Sequence, residues 1–223
     1  MSRAGVRRVF IGLESVNPEN LKAVGKHHNQ IQVYRRMLQM WRTHGVLTYA
    51  GYMIGFPGET YESIMKDVET LKRELPLDHA EFFIMTPLPG SEDHRKLFMT
   101  QTLMEQDTNL YDTAHVTTDH PRMTRRELER AYQDAWKSFY SEEHIKTLLL
   151  RWKGSRRRLL RDSLVWFCSA VWLENIHPLV SGFFRLKTRK ERRPEMPLEP
   201  WVSFYARRVK EIVRCSGYPP LDL

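Results

Sequence analysis

Apolar positions in the first hundred residues alternate between short unbroken runs and spaced series, a pattern that predicts strands and helices in turn. VFIGL, between Arg8 and Leu13, is a continuous apolar run of the kind a parallel strand shows when both its faces are covered. Asn17-Pro18-Glu19 then supplies a helix start: a capping side chain, a proline at the first helical position and an acid in the first turn. Ile31, Tyr34, Met37, Leu38 and Trp41 recur at helical spacing and predict a helix over 30–42, ended by Gly45. VLTYAGYMIG (46–55) reads as a second buried strand, and AEFFIM (80–85) as a third. Between them Thr60 to Leu75 forms an amphipathic helix with Ile64, Val68 and Leu71 on one face. Strands alternating with helices of this length predict βαβ units and a parallel sheet, and three strands are too few to close a barrel.

Beyond Leu97 the pattern changes. Residues 100–122 are polar and irregular, and Met123 to Tyr140 then gives a strong helix with Leu128, Tyr132, Ala135, Trp136 and Phe139 in register, opened by a capping box of Thr124 and Glu127. Glu142 to Trp152 predicts a further helix, and GSRRR (154–158) reads as a linker. SLVWFCSAVWL (163–173) is strongly apolar but far short of the roughly 20 residues that span a bilayer, so it is expected as a core helix rather than an interfacial one. Pro194 to Pro200 is a stiff spacer before a last amphipathic helix over 202–213. The expected organisation is 1–100, 101–153 and 154–223.

Charge separates the last of these from the rest. From Arg151 onward there are 16 Lys or Arg against 7 Asp or Glu, whereas the preceding part holds 19 against 20, so the net charge of +8 belongs to the tail. Such an excess reads first as a solvated basic face. It attracts nucleic acid, anionic lipid or an acidic partner without specifying chemistry. Arg156 to Arg158 come with no recognised nucleic-acid module, so no specific nucleic acid is expected, and peripheral membrane contact stays open. Cys168 and Cys215 lie far apart with no partner at metal-ligand spacing, which leaves neither a disulfide framework nor a zinc site. His27, His28, His94, His115, His120 and His144 form no helical i, i+4 pair and predict no metal. The N-terminal sequence lacks an apolar leader, which predicts a cytoplasmic protein.

The candidate chemistry lies at three strand ends: GLES (12–15), GFPGE (55–59) and TPLPG (86–90). In parallel α/β architecture ligands gather where strands end and helix N-termini converge, and glycine there lets backbone approach a ligand. Each turn alone reads equally as a tight strand-to-helix connection. Taken together, IGLESVNPENLKAVGK, AGYMIGFPGETYESI and FFIMTPLPGS resemble the second half of the radical S-adenosylmethionine core, in the branch with cobalamin-binding relatives. The resemblance covers 8–97, and DHPRMTRRELERAYQDAWKSFYS (119–141) is similar to the helical extension that follows that core.

The resemblance implies an α/β fold in which the three strands are the C-terminal half of a partial βα barrel, followed by an all-helical extension. It places Glu14 and Ser15 beside the ribose and methionine part of S-adenosylmethionine, and Lys26 against the methionine carboxylate. Gly55, Gly58, Pro87 and Gly90 would shape the cofactor pocket. The bland alternatives are an exposed turn charge for Glu14 and a solvated helix-end cation for Lys26.

One departure from the family dominates: the CxxxCxxC loop for a [4Fe-4S] cluster is absent, and neither Cys168 nor Cys215 can replace it. The resulting expectation is a fragment of a radical enzyme, inactive alone, that cleaves S-adenosylmethionine reductively or transfers methyl groups through cobalamin. The cluster and cobalamin sites would lie elsewhere, and a companion chain would supply the cluster-bearing half. The open sheet edge at Val9 to Leu13 predicts self-association, and the substrate is expected to be a small or lipid-like molecule. The rival expectation is a non-enzymatic basic protein that docks on RNA or an anionic membrane.

Overall fold

A computed structural model describes residues 2–23, 31–179, 181, 200, 202–203, 205–207 and 209–210. Lys26, His27, His28, Cys215 and most of the proline-rich spacer lie outside the described residues. Two compact units divide the chain, Met1–Trp152 and Lys153–Leu223.

The first unit begins with β1 (Arg8–Glu14), α1 (Pro18–Ala23), α2 (Ile31–Thr43), β2 (Leu47–Ile54), α3 (Tyr61–Glu74) and β3 (His79–Ile84). These form the expected alternation, and the strands make a parallel sheet in the order β1-β2-β3. Sequential parallel order is shared by one half of a doubly wound sheet and by an arc of a barrel. The α/β class with a parallel three-stranded sheet is therefore observed, whereas the barrel half implied by the resemblance is not.

Register assigns the sheet's two faces. Because Phe10 pairs with Tyr49, Gly12 with Gly51, Tyr49 with His79 and Gly51 with Glu81, these side chains rise on one face. Leu13, Ala50, Tyr52, Ile54, Ala80, Phe82 and Ile84 occupy the other and are buried. The helices build the core on that second face. From α5 (Arg125–Phe139), the rings of Trp136 and Phe139 meet Phe82 edge-on at 5.4 and 6.1 Å.

Helix α5 starts at its expected capping box, with Thr124 and Glu127 side chains each accepting the other's backbone N–H. Its buried positions 128, 131, 132, 135, 136 and 139 follow helical spacing. On α3, Tyr61 donates to Asp134 at 2.9 Å, fixing that helix beside α5. The outer edge of β3 is covered: Ile84 N–H donates to Thr113 at 2.6 Å and Tyr140 hydroxyl donates to Ala80 carbonyl at 2.9 Å. Among the described residues no strand pairs with the outer edge of β1.

Two elements differ from expectation. Helix α4 (Glu92–Met99), capped by the Ser91 hydroxyl, stands in a stretch for which the sequence predicted no element. Its eight residues bury no side chain completely, so no apolar stripe announced it. After α6 (Glu142–Leu150), the GSRRR segment is no linker: it forms the first turn and a half of α7 (Gly154–Cys168). Arginine is a good helix former, and Leu160, Ser163, Leu164 and Phe167 supply the buried stripe that carries the helix back through the arginines. A π-helical turn, Ser169–Glu174, ends it at Asn175 in the left-handed conformation. No helix among the described residues is long and apolar enough to cross a membrane.

Candidate functional site

The carboxyl ends of all three strands lie along one edge of the sheet, and each ends differently. At the end of β1 the register slips by one residue, so that Gly12 faces Gly51 but Glu14 faces Tyr52. Ser15 N–H closes a tight turn onto Leu13 carbonyl at 2.8 Å, with Glu14 at its centre at a φ of 65°. A left-handed conformation is unfavourable for a glutamate and persists only where the surroundings impose it. The side chain folds back over the sheet: a Cβ built on Gly12 would stand 3.0 Å from Glu14 Oε1. Tyr34 reaches the same corner, donating to Gly12 carbonyl at 3.3 Å, and its phenol is pushed up first by burial and then by the Glu14 charge.

Ser15 turns inward instead. It is 1% exposed, and its hydroxyl accepts from Asn17 N–H at 3.0 Å and from Asn20 Nδ2 at 3.2 Å. The Tyr52 hydroxyl sits 3.4 Å away and donates to Asp67 on α3 at 2.9 Å. Burial raises the pKa of both Tyr52 and Asp67. Ser15 thus holds the β1 turn from beneath.

The turn after β2 is built around Glu59, 1% exposed. Its Oε2 accepts the N–H groups of Gly55 and Phe56 at 2.7 and 3.0 Å, and its Oε1 accepts Asn20 Nδ2 at 2.6 Å. Burial pushes the carboxyl up to about 7, while the three donors favour its charged form. Gly55 at a φ of 98° makes the sharp exit from the strand that lets both amides point at one oxygen.

The same loop is gripped from its other side by the segment before α5. His120 Nδ1 accepts the N–H groups of Arg122 and Met123, both at 3.1 Å, which leaves the proton on Nε2 to be donated to Phe56 carbonyl at 2.9 Å. Arg122 donates to Gly58 carbonyl at 2.8 Å. Gly58 itself is exposed, with open space where a Cβ would stand. After β3, Met85 N–H still pairs with Ile54 carbonyl at 2.7 Å. Pro87 is buried, and Gly90, at a φ of 91°, turns the chain towards Ser91 and α4.

Glu14, Gly55, Gly58, Pro87 and Gly90 are therefore gathered at one end of the sheet, and Ser15 lies just beneath them. Sequence reading missed the residues that fix this edge, Asn20, Tyr52, Glu59, Asp67 and His120. Glu59 stood within the quoted GFPGE turn, but only its bonding shows that its carboxylate faces inward. His120 holds a backbone carbonyl. His144 on α6 is buried, holds Phe139 carbonyl through Nδ1 at 2.7 Å and is pushed down to about 4 by burial. Cys168 is partly buried, its thiol pushed up to about 11, as an unreactive packing cysteine should be. Among the described residues no group of three His, Cys, Asp or Glu is placed to hold a metal ion.

Comparison with known proteins finds two named relatives. No protein-family model matches the sequence. Over 140 residues, 63% of the chain, it is 26% identical to an uncharacterized methyltransferase of Pyrococcus horikoshii, of which it covers 30%. Over 198 residues, 88% of the chain, it is 25% identical to the bacteriochlorophyllide d C-12(1)-methyltransferase of Chlorobaculum tepidum, of which it covers 38%. Both relatives are methyltransferases by name. The chain spans about a third of the length of these curated relatives.

Those names correct the recognition suggested by the three motifs. Both relatives are named for methyl transfer and neither name speaks of reductive cleavage to a radical, so membership of the radical S-adenosylmethionine superfamily is withdrawn. The [4Fe-4S] cluster and the cobalamin-associated branch go with it, since neither name nor any described side-chain group speaks for them. Neither name speaks of nucleic acid or lipid surfaces, so the basic-protein alternative gains no support.

Proposed function

We propose that this chain forms part of a methyltransferase and that the carboxyl edge of its sheet binds S-adenosylmethionine. The observation that carries the reading is the convergence of the β1, β2 and β3 turns on one edge, in a chain whose relatives are named for methyl transfer. The local chemistry fits such a cosubstrate. Glu14 offers a carboxylate at the sheet's corner, suited to ribose hydroxyls or an ammonium group. Gly58 and Gly90 leave open space where side chains would block a ligand's approach.

When bound, S-adenosylmethionine supplies an electrophilic methyl group: a nucleophile's lone pair forms a bond to that carbon as the carbon–sulfur bond breaks, and neutral S-adenosylhomocysteine leaves. The chain's own contribution is positional. Glu59, Asn20 and His120 hold the loops still, so that their backbone groups need no reordering when a ligand arrives. The acceptor belongs to the small or lipid-like molecules.

Calorimetric titration of the protein with S-adenosylmethionine tests this reading. Saturable binding that Glu14→Asn weakens several-fold supports it. Absence of binding by the unaltered protein defeats it.

A further inference from the structure

On the sheet face away from the helical core, β3 carries a carboxylate in an unusual position. Glu81 is 6% exposed, and among the described residues no hydrogen bond or ion pair is made to its carboxylate, whose oxygens are not fully sealed from solvent. Burial alone raises its pKa, with no hydrogen bond or neighbouring charge opposing it. Buried carboxylates are ordinarily paired, and Glu59 in the same sheet shows how fully this chain can satisfy one.

Its surroundings are aromatic and acidic. Gly51 lies beside Glu81 in register, and a Cβ built there would stand 2.9 Å from the Phe10 ring and 3.4 Å from the Phe83 ring. Both rings therefore lean over the bare backbone next to the carboxylate. Phe10 is 58% exposed, so its ring reaches solvent. The Glu14 carboxylate folds over Gly12, one strand further along the same row. Among the described residues, Arg8 lies over the Tyr49 ring at 5.8 Å, and His79, stacked on Tyr49 at 4.4 Å, is kept neutral by burial, its pKa about 3.

We infer that Glu81, with the rings of Phe10 and Phe83, forms a binding site for an organic cation on this face of the sheet. A largely buried carboxylate with no counter-charge among the described residues, beside one exposed and one half-buried aromatic ring, favours a diffuse cation such as a sulfonium or alkylated ammonium over a strongly hydrated one. Two sources can supply that group: the sulfonium of the methyl donor, or a cationic nitrogen on the acceptor. The inference rests on the methyltransferase reading for its choice of ligands, but its test stands separately.

The unaltered protein, Glu81→Gln and Phe10→Leu are titrated calorimetrically with S-adenosylmethionine, with S-adenosylhomocysteine, which lacks the sulfonium charge, and with tetramethylammonium. If the donor's sulfonium occupies the site, Glu81→Gln weakens S-adenosylmethionine about tenfold and leaves S-adenosylhomocysteine unchanged. If the acceptor's cation occupies it, tetramethylammonium binding falls by a similar factor while S-adenosylmethionine binding is unaltered. Phe10→Leu gives a smaller loss on the same probe. Thermal melting reads the structural alternative: removing an unpaired buried charge should leave the melting temperature unchanged or raise it. Equal binding of every probe by protein and variant, no cation uptake by the unaltered protein, or a lowered melting temperature in Glu81→Gln would each overturn the inference. Tetramethylammonium binding that depends on Glu81 without any S-adenosylmethionine binding would instead defeat the proposed function and keep the site.

Discussion

Asn20 donates its amide to Glu59 across 2.6 Å, joining the helix after β1 to the loop after β2 through two side chains that are almost wholly buried. The amide also reaches Ser15, so one asparagine spans both turns. Replacing it by alanine removes a charge-assisted bond and leaves Glu59 short of a donor. Asn20→Ala should lower unfolding stability by about 2–3 kcal/mol, measured by urea denaturation.

Glu59 also gives this edge a pH signature. Its folded pKa of about 7 lies above the ordinary 4.5, so between those values the folded state holds a proton that the unfolded state has lost. Its contribution to stability is fully present below pH 4.5 and declines as pH rises towards 7, by at most about 3 kcal/mol. His79 and His144 act in the opposite sense. With folded pKa values of about 3 and 4 against 6.5, they lose stability as pH falls below 6.5. Comparing the protein with Glu59→Gln across pH 4–8 isolates the first effect. The variant should lack the decline towards pH 7, and parallel pH profiles would refute the assignment.

His120 and Arg122 hold the Phe56 and Gly58 carbonyls, so their removal should loosen the loop without unfolding the sheet. His120→Ala should reduce stability by about 1–2 kcal/mol and speed amide exchange at residues 56–59. Unchanged exchange in that loop would show that Glu59 alone fixes it.

Glu14 sits in a left-handed conformation that asparagine tolerates better. Glu14→Asn should therefore preserve stability or raise it by up to about 1 kcal/mol while weakening S-adenosylmethionine binding. A variant that is less stable and binds like the parent would contradict both halves of that expectation.

Asp78 is almost fully buried and is reached by Trp152 Nε1 at 2.5 Å and Thr48 N–H at 2.9 Å. Trp152→Phe keeps much of the ring's bulk but takes away one donor. It should cost about 1–3 kcal/mol in urea denaturation, and a neutral result would mean that another donor replaces the indole.

Local pattern fixes the alternation of strands and helices from β1 to β3, the capping box at Thr124 and the three turns that gather at one edge, but not α4. Those features are written in local periodicity and in glycine or proline at fixed places, where backbone sterics act over a few residues. It also marked Glu14, though not the strained turn beneath it. The first turn of α7 escaped because arginines read as a linker until Leu160 and Leu164 are seen to be buried. Which carboxylates are satisfied depends on contacts made across the fold. Glu59 finds Asn20, 39 residues away, whereas Glu81, in an apolar run, finds no donor among the described residues. Hydrogen bonds and desolvation depend on groups brought together from distant parts of the chain, and no local pattern contains that information.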